Sequence, residues 1–125
     1  MKRSTFSVKR GRFRIFARVD EMGEDLLVTL WGGAVHIGAV AMAVPRPSLR
    51  DPRERSATSS VFTYPGHKED VTVKLISELL SARLGRNAVV VAGLHWDGLE
   101  PENIGQVVDA CKVLGERIIR KIDKG

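Results

Sequence analysis

The feature that most constrains the fold is an uninterrupted apolar run, Ala88–Leu94, in the second half of the chain. Polar and apolar residues do not alternate in it, which is typical of a central strand covered on both faces. The segments on either side repeat apolar residues at helical spacing, the first from about His67 to Leu84 and the second from Pro101. The sequence therefore predicts a strand–helix–strand unit followed by a second helix.

Four more strands are predicted upstream of the first helix, at residues 13–19, 25–31, 35–44 and 58–64. Residues 1–9 are expected to be a flexible piece or an edge strand, and the charged segment 45–56 a mobile loop. Short turns between the strands predict an antiparallel meander, and residues 1–125 a single domain. The expected fold is therefore α+β with two layers. A mixed five-stranded β-sheet, made of the meander and one βαβ unit, carries two helices on one face.

Composition narrows the class of protein and its surroundings. The single cysteine, Cys111, excludes an intramolecular disulfide and a cysteine metal cluster, so a reducing cytoplasm is expected. No stretch is long and apolar enough to cross a membrane. The net charge of +5 favours acidic partners, but no motif of a nucleic-acid-binding module is visible, so nucleic acid is not an expected partner. One Gln and two Asn among many charged residues indicate a thermophile.

The segment Phe62–Asp70 indicates where function lies, because it predicts a strand end, a Pro-Gly turn and a helix start in succession. A helix N-terminus leaves backbone N–H groups unpaired and carries partial positive charge. Gly66 would let a ligand approach the backbone closely, while His67 and Lys68 add positive charge. The chemistry predicted for this segment is the binding of an anion or a phosphate.

The predicted strand order brings all three histidines to one end of the sheet. We expect 25–31 and 35–44 to form a hairpin, with 58–64 antiparallel to 35–44 and the apolar run parallel to 58–64. The histidines His36, His67 and His95 then lie together, where ligands of sheets with parallel strands tend to bind. Each histidine alone has a structural explanation, but three of three at one end favour a functional site.

Zinc is one chemistry that such a cluster permits, since His36, His67, His95 and Asp97 would supply enough ligands. The spacing, however, contains no short pair of histidines of the kind that zinc sites use. No Gly-x-Ser-x-Gly nucleophile motif, Rossmann glycine fingerprint or P-loop occurs in the chain. A metal-dependent enzyme therefore stays an alternative, with no metal ligand or catalytic residue assigned.

Three segments, Gly32–Ala41, Tyr64–Asp70 and Val90–Gly98, resemble the small subunit-D proteins of gallate-type decarboxylases. These proteins form the prenylated flavin chaperone family, whose fold is often compared with that of proteasome assembly chaperones. The resemblance covers roughly residues 10–122. It implies a small non-catalytic protein that handles prenylated flavin mononucleotide (FMN) for a flavin-dependent decarboxylase.

The resemblance and the residues together define a candidate site for prenylated FMN or FMN. The turn at 65–68 would hold the phosphate, and the aromatic residues would wall the ring system. The candidate cofactor-binding residues are Trp31, Gly32, Gly33, His36, Tyr64, Pro65, Gly66, His67, Lys68, His95, Trp96 and Asp97. A protein-assembly chaperone without a small ligand is a further alternative.

A homodimer or larger homo-oligomer is also expected. The apolar Phe16 interrupts a charged strand face, and the strand at 25–31 is rich in leucine. Strands of this kind invite pairing with another chain if nothing shields them.

Overall fold

In this computed structural model, the structure describes residues 1–66 and 69–124. The predicted site residues His67 and Lys68, with the expected start of the first helix, lie outside the described residues. Within the described range the chain forms six strands and two helices. They are β1 (Lys2–Arg10), β2 (Phe13–Met22), β3 (Asp25–Gly33), β4 (Ala39–Pro47), β5 (Arg55–Thr63), α1 (Asp70–Leu84), β6 (Ala88–His95) and α2 (Pro101–Lys124).

The strands form one mixed sheet in the order β1-β2-β3-β6-β4-β5. The strand β6 pairs in parallel with β3, and all other neighbours are antiparallel. The α+β class is confirmed, but five strands is wrong, because Lys2–Arg10 adds a sixth at the edge beside β2.

The predicted hairpin between β3 and β4 is also wrong, because β6 lies between them. Instead of turning tightly, the connection at 34–38 crosses the end of β6 and bonds to it. The Ala34 N–H donates to the His95 carbonyl at 2.9 Å, and the Gly38 N–H donates to the Ala92 carbonyl at 2.9 Å. The most apolar strand therefore takes a central place, with β3 rather than β5 as its parallel neighbour.

The hairpin between β4 and β5 is longer than expected, since pairing continues to Pro47 and Arg55. The loop therefore spans only 48–54, not 45–56. Two prolines fit in β4 because its pairing with β6 ends at Ala43, which leaves β5 as the only neighbour there.

Both helices pack on the same face of the sheet, which we call the helix face. The helix α1 contacts β4, β5 and β6, while α2 contacts β1 and β2, and the two helices contact each other. The alanines Ala39, Ala41 and Ala43 of β4 lie beneath α1 and are almost fully buried. Small residues there let the helix lie close to the sheet. The opposite face, which neither helix covers, is called the open face.

Candidate functional site

The ends of five strands meet at one end of the sheet and position the candidate site. The strands β3, β5 and β6 finish there, and β2 and β4 begin there. The rings of His36 and His95 lie side by side at this end, with centroids 6.2 Å apart and planes at 90°. The directions of the strands alone place His36 and His95 at this end. The prediction that they lie together therefore holds although the predicted strand order is wrong.

A buried carboxylate, Glu69, lies next to His36. The Nε2 atom of His36 is 3.2 Å from Oε2 of Glu69, and its Nδ1 atom is 2.8 Å from the Ala34 carbonyl oxygen. Because a carbonyl can only accept, Nδ1 must carry a proton and donate it. The other ring nitrogen, Nε2, lies within hydrogen-bond distance of the Glu69 carboxyl group. The two residues therefore form one polar unit, with the Glu69 side chain 8% exposed.

Two glycines let this unit lie against the sheet. A side chain at Gly38 would overlap the Glu69 carboxylate, and one at Gly93 would overlap the backbone carbonyl of His36. Neither position has a positive φ, so close approach is the reason for glycine here. The site is thus packed directly onto the ends of β4 and β6.

A cavity of about 590 Å³ opens beside this unit, between the N-termini of α1 and α2. The size falls in the range of small-molecule sites. Its polar border includes Gly66, Glu69, Asp70 and His95. Its apolar walls are Leu94, Trp96, Leu99, Ile104, Val107 and Val108.

Trp96 is the aromatic residue that reaches this cavity, and packing holds its ring in place. The ring makes an edge contact with Phe13 at 5.1 Å and lies against Gly32. The neighbouring backbone is fixed as well, because the Arg12 guanidinium donates to the Asp97 carbonyl at 3.2 Å. Trp96 is therefore a preformed wall.

The other predicted aromatic residues do not share that wall. Trp31 stacks on Phe16 at 5.5 Å, on the open face, since its strand neighbour Leu30 is buried on the helix face. Tyr64 is 61% exposed and lines a separate hollow of about 240 Å³. The structure therefore separates Trp31 and Tyr64 from Trp96 instead of bringing all three around one ligand.

The remaining predicted residues fall at the border of the cavity or in its packing. Pro65 and Gly66 form the turn before α1, and Gly66 has φ +82° with open space beside its Cα. The Nε2 atom of His95 is 3.5 Å from the exposed Asp97 carboxylate. The backbone of Gly33 lies against the His95 carbonyl, so Gly33 has a packing role whether or not a ligand binds.

The N-terminus of α1 has no side-chain cap among the described residues, although Glu69 stands at the N-cap position. The Glu69 carboxylate is turned toward His36, and its backbone carbonyl accepts from the Val73 N–H at 3.0 Å. The first-turn N–H groups of α1 therefore keep the partial positive charge that favours an anion.

Sequence reasoning missed Glu69 and most of the apolar lining. Glu69 belongs to the highlighted segment, but an anion site gives no reason to expect a buried carboxylate. Ile104 offered a better signal, because it is 52% exposed although it continues the apolar stripe of α2. An apolar residue in a first helical turn that the core does not cover is a sign of a ligand cavity.

For residues 1–66 and 69–124, the structure gives no support for a metal site, a reactive cysteine or a membrane-spanning helix. In these ranges no group of three or more His, Cys, Asp or Glu side chains is placed to hold a metal ion. Burial raises the pKa of the Cys111 thiol to about 12, so it is a poor nucleophile. No helix in the same ranges has the length and apolar character needed to span a membrane.

One of the comparisons with known proteins, the match to a family model, agrees with the resemblance seen in the three sequence segments. No curated protein matches the sequence. Among solved structures, a chain of "Crystal Structure of a Novel Chaperone Complex for Yeast 20S Proteasome Assembly" has a TM-score of 0.49 and 9% identity, covering 92% of this chain and 99% of that chain. A family model described as the prenylated flavin chaperone LpdD-like domain matches residues 9–123. Because the match spans nearly the whole sequence, the chain belongs to the prenylated flavin chaperone LpdD-like family.

Proposed function

We propose that this protein binds a flavin phosphate, prenylated FMN or FMN, and delivers it to a flavin-dependent decarboxylase without catalysing a reaction itself. The observation that carries the proposal is the apolar cavity between the two helix N-termini, in a chain whose family is described as a flavin chaperone. A carrier needs a site that recognises its ligand, and it needs no nucleophile.

The walls of the cavity suit the flavin ring system. An isoalloxazine ring is flat and largely apolar, and Trp96 offers an aromatic wall with Leu99 and Ile104 nearby. Polar groups at the border, such as His95, can bond to the ring edge and fix its orientation. A prenyl group attached to the ring would add apolar surface, which the aliphatic lining also accommodates.

The phosphate is expected at the mouth of the cavity, on the side of Gly66. The border of the cavity carries two carboxylates, Glu69 and Asp70, at the start of α1, so a phosphate there needs a cation beside it to offset their repulsion. At the mouth, the first turn of α1, for which residues 1–66 and 69–124 supply no side-chain cap, offers partial positive charge. The sequence adds His67 and Lys68 next to this turn, and we assign Lys68 as the charged partner of the phosphate.

Binding is tested by titrating FMN against the purified protein and following flavin fluorescence. In Ile104→Trp the larger ring fills the cavity, so affinity should fall at least about tenfold. The matched control is Leu49→Trp, which adds the same ring at a 90% exposed loop position and should bind like wild type. Equal affinity in both variants would contradict the cavity as the flavin site.

The phosphate is tested with Lys68→Ala and with riboflavin. Losing one charge-assisted contact of about 1.5–3 kcal/mol should weaken FMN binding about tenfold to a hundredfold. Arg50→Ala in the loop 48–54 removes a cation at the opposite end of the sheet and should be nearly neutral. Equally tight binding of riboflavin and FMN would disprove the phosphate site. Gly66→Val is less informative, because a positive φ strains valine with or without ligand.

A further inference from the structure

The open face of the sheet carries an apolar patch over β6, β4 and β5, with Arg46, which donates to Thr58 at 2.6 Å, and Asp25 at its border. Phe62 is 81% exposed, Met42 66% and Val44 53%, although all three lie in regular strands. Their neighbours in register on this face are also aliphatic or hydroxyl-bearing. We define the apolar patch as Val40, Met42, Val44, Phe62, Val89 and Val91.

The patch has a knob at one end and a hollow at the other. The ring of Phe62 is the knob, opposite Val40 in the strand pairing. The hollow has a volume of about 450 Å³. Met42, Val44 and Val89 form its apolar border, and Thr58, Asp25 and Asn87 belong to its polar border. Phe62 and Thr58 are four residues apart on β5, which corresponds to about 13 Å along the strand.

We infer that a second copy of this chain covers the apolar patch, with its sheet packed face to face on this one. A two-fold axis across the strands at the Met42 and Ser60 pair would place each Phe62 over the hollow of the other copy. Each Phe62 then packs into the hollow of the other copy, so the same contact forms twice in one interface, as an isologous dimer requires. An unrelated partner would have to supply both shapes independently.

The size of the surface is appropriate for a dimer. With the exposed Ile37 and Tyr64 beside it, the patch offers on the order of 600 Å² per copy, near the ~800 Å² per partner of a standard interface. Large apolar side chains in well-packed pockets carry most of the binding energy in such interfaces. Phe62 is therefore the side chain whose change should matter most.

Pairing through a sheet edge is the competing arrangement. The edge strand β1 carries four cations, Lys2, Arg3, Lys9 and Arg10, which oppose pairing with a second copy. The other edge strand, β5, carries one cation, Arg55, which donates to the carbonyls of Ala82 and Arg83 in α1. An edge dimer would therefore form through β5, and the test must distinguish it from the face-to-face dimer.

Sedimentation velocity over a range of concentrations tests the dimer itself. Wild type should dimerise, and Phe62→Glu should weaken self-association at least about tenfold, because it buries a charge in the hollow. Leu49→Glu makes a comparable change at another exposed residue and should dimerise like wild type. Circular dichroism should be used to check that each variant is folded. A wild-type monomer at the highest soluble concentration, or undiminished dimerisation of Phe62→Glu, would overturn the proposal.

Cross-linking with a short bis-maleimide separates the two arrangements. Ser60 lies near the proposed axis on the open face, so Ser60→Cys should cross-link efficiently across two sheets about 10 Å apart. Ser59 faces the helices, where it donates to Glu78 at 2.6 Å, so Ser59→Cys should not cross-link. Equal cross-linking at both positions would indicate β5 edge pairing and contradict the face-to-face dimer. The buried native Cys111 stays unreactive. None of these readouts depends on flavin binding.

Discussion

The two faces of the sheet are built by the same strands, yet they differ in the size and exposure of their apolar residues. On the helix face β4 presents Ala41 and Ala43, which are buried beneath α1. On the open face the same strand presents Met42 and Val44, which are more than half exposed. Small residues therefore lie where something already covers the strand, and large ones lie where nothing in this chain does.

The comparison indicates that the two faces of the sheet suit different kinds of binding partner. The helix face ends in a cavity that holds a buried carboxylate, a histidine and an aromatic wall, which suits a small ligand. The open face has a knob and a hollow, which suit a protein surface. Trp96, directly after β6, and Trp31, in β3, belong to these two different surfaces, although the two strands end side by side. Changes on each face should therefore have different consequences.

The largest difference is expected for truncation of an apolar side chain. Ile118→Ala removes a fully buried side chain on the helix face and should lower the free energy of unfolding by about 3–4 kcal/mol. Val44→Ala on the open face should change it by less than about 0.5 kcal/mol when measured at protein concentrations below the dissociation constant of the proposed dimer. Urea unfolding measures both values. Comparable losses would show that the open face is part of the monomer's core.

Glycines provide a second contrast, within one residue type. Gly93→Ala places a methyl group against the backbone carbonyl of His36, which cannot move without shifting the 34–38 connection. We expect a loss of about 2–3 kcal/mol. Gly105→Ala in α2 meets no atom within 4 Å and should stabilise the helix by up to about 1 kcal/mol. Urea unfolding of the two variants should therefore give shifts of opposite sign.

The 34–38 connection between β3 and β4 also shows what could not be predicted from the sequence. The central place of β6 followed from its uninterrupted apolar run, because such a strand needs cover on both faces. Its neighbours did not follow, since Gly32-Gly33 resembles a hairpin turn, whereas the chain in fact crosses the end of β6. The pairing of β6 with β3 and with β4, together with the bonds from Ala34 and Gly38 to β6, decides between these arrangements, and all these contacts are long-range.

The candidate site was predictable in its location but not in its composition. Strand directions alone bring His36 and His95 to the same end, so clustering did not require the correct order. The face on which each aromatic residue lies does require the register, and for that reason Trp31 was grouped with Trp96. Glu69 could not be expected from a segment that otherwise suggests an anion site.

A smaller effect is expected from the pair formed by His36 and Glu69 on the helix side. Replacing either residue with alanine leaves the other partly buried with a lost partner, at a cost of about 2 kcal/mol. The double variant should lose little more than either single one, which corresponds to a coupling energy of about 1–3 kcal/mol. A double-mutant cycle measured by urea unfolding tests this expectation. Simple additivity would mean that the contact contributes nothing to stability.

The smallest effect concerns the polar part of the open face, where Asp20 lies between Arg3 and Arg18. The Arg3 guanidinium donates a 2.6 Å hydrogen bond that holds the pKa of the Asp20 carboxyl below its ordinary value of 3.8, against the opposing effect of burial. Because the pKa is lower in the folded state, the ionised carboxylate contributes stability above about pH 3.8. That contribution is lost as the pH falls through the lowered pKa.

Asp20→Asn should therefore be less stable than wild type at neutral pH, and the difference should disappear in strong acid. Thermal unfolding between neutral pH and pH values well below 3.8 measures the convergence. Asp109→Asn on the exposed side of α2 is the control for the change in net charge, since it also removes one carboxylate. If both variants show the same pH dependence, the effect belongs to the overall charge of this basic chain. If only Asp20→Asn converges with wild type in acid, the ion pairs of Asp20 with Arg3 and Arg18 stabilise the charged side of the open face. The apolar patch is then the part of that face suited to a partner.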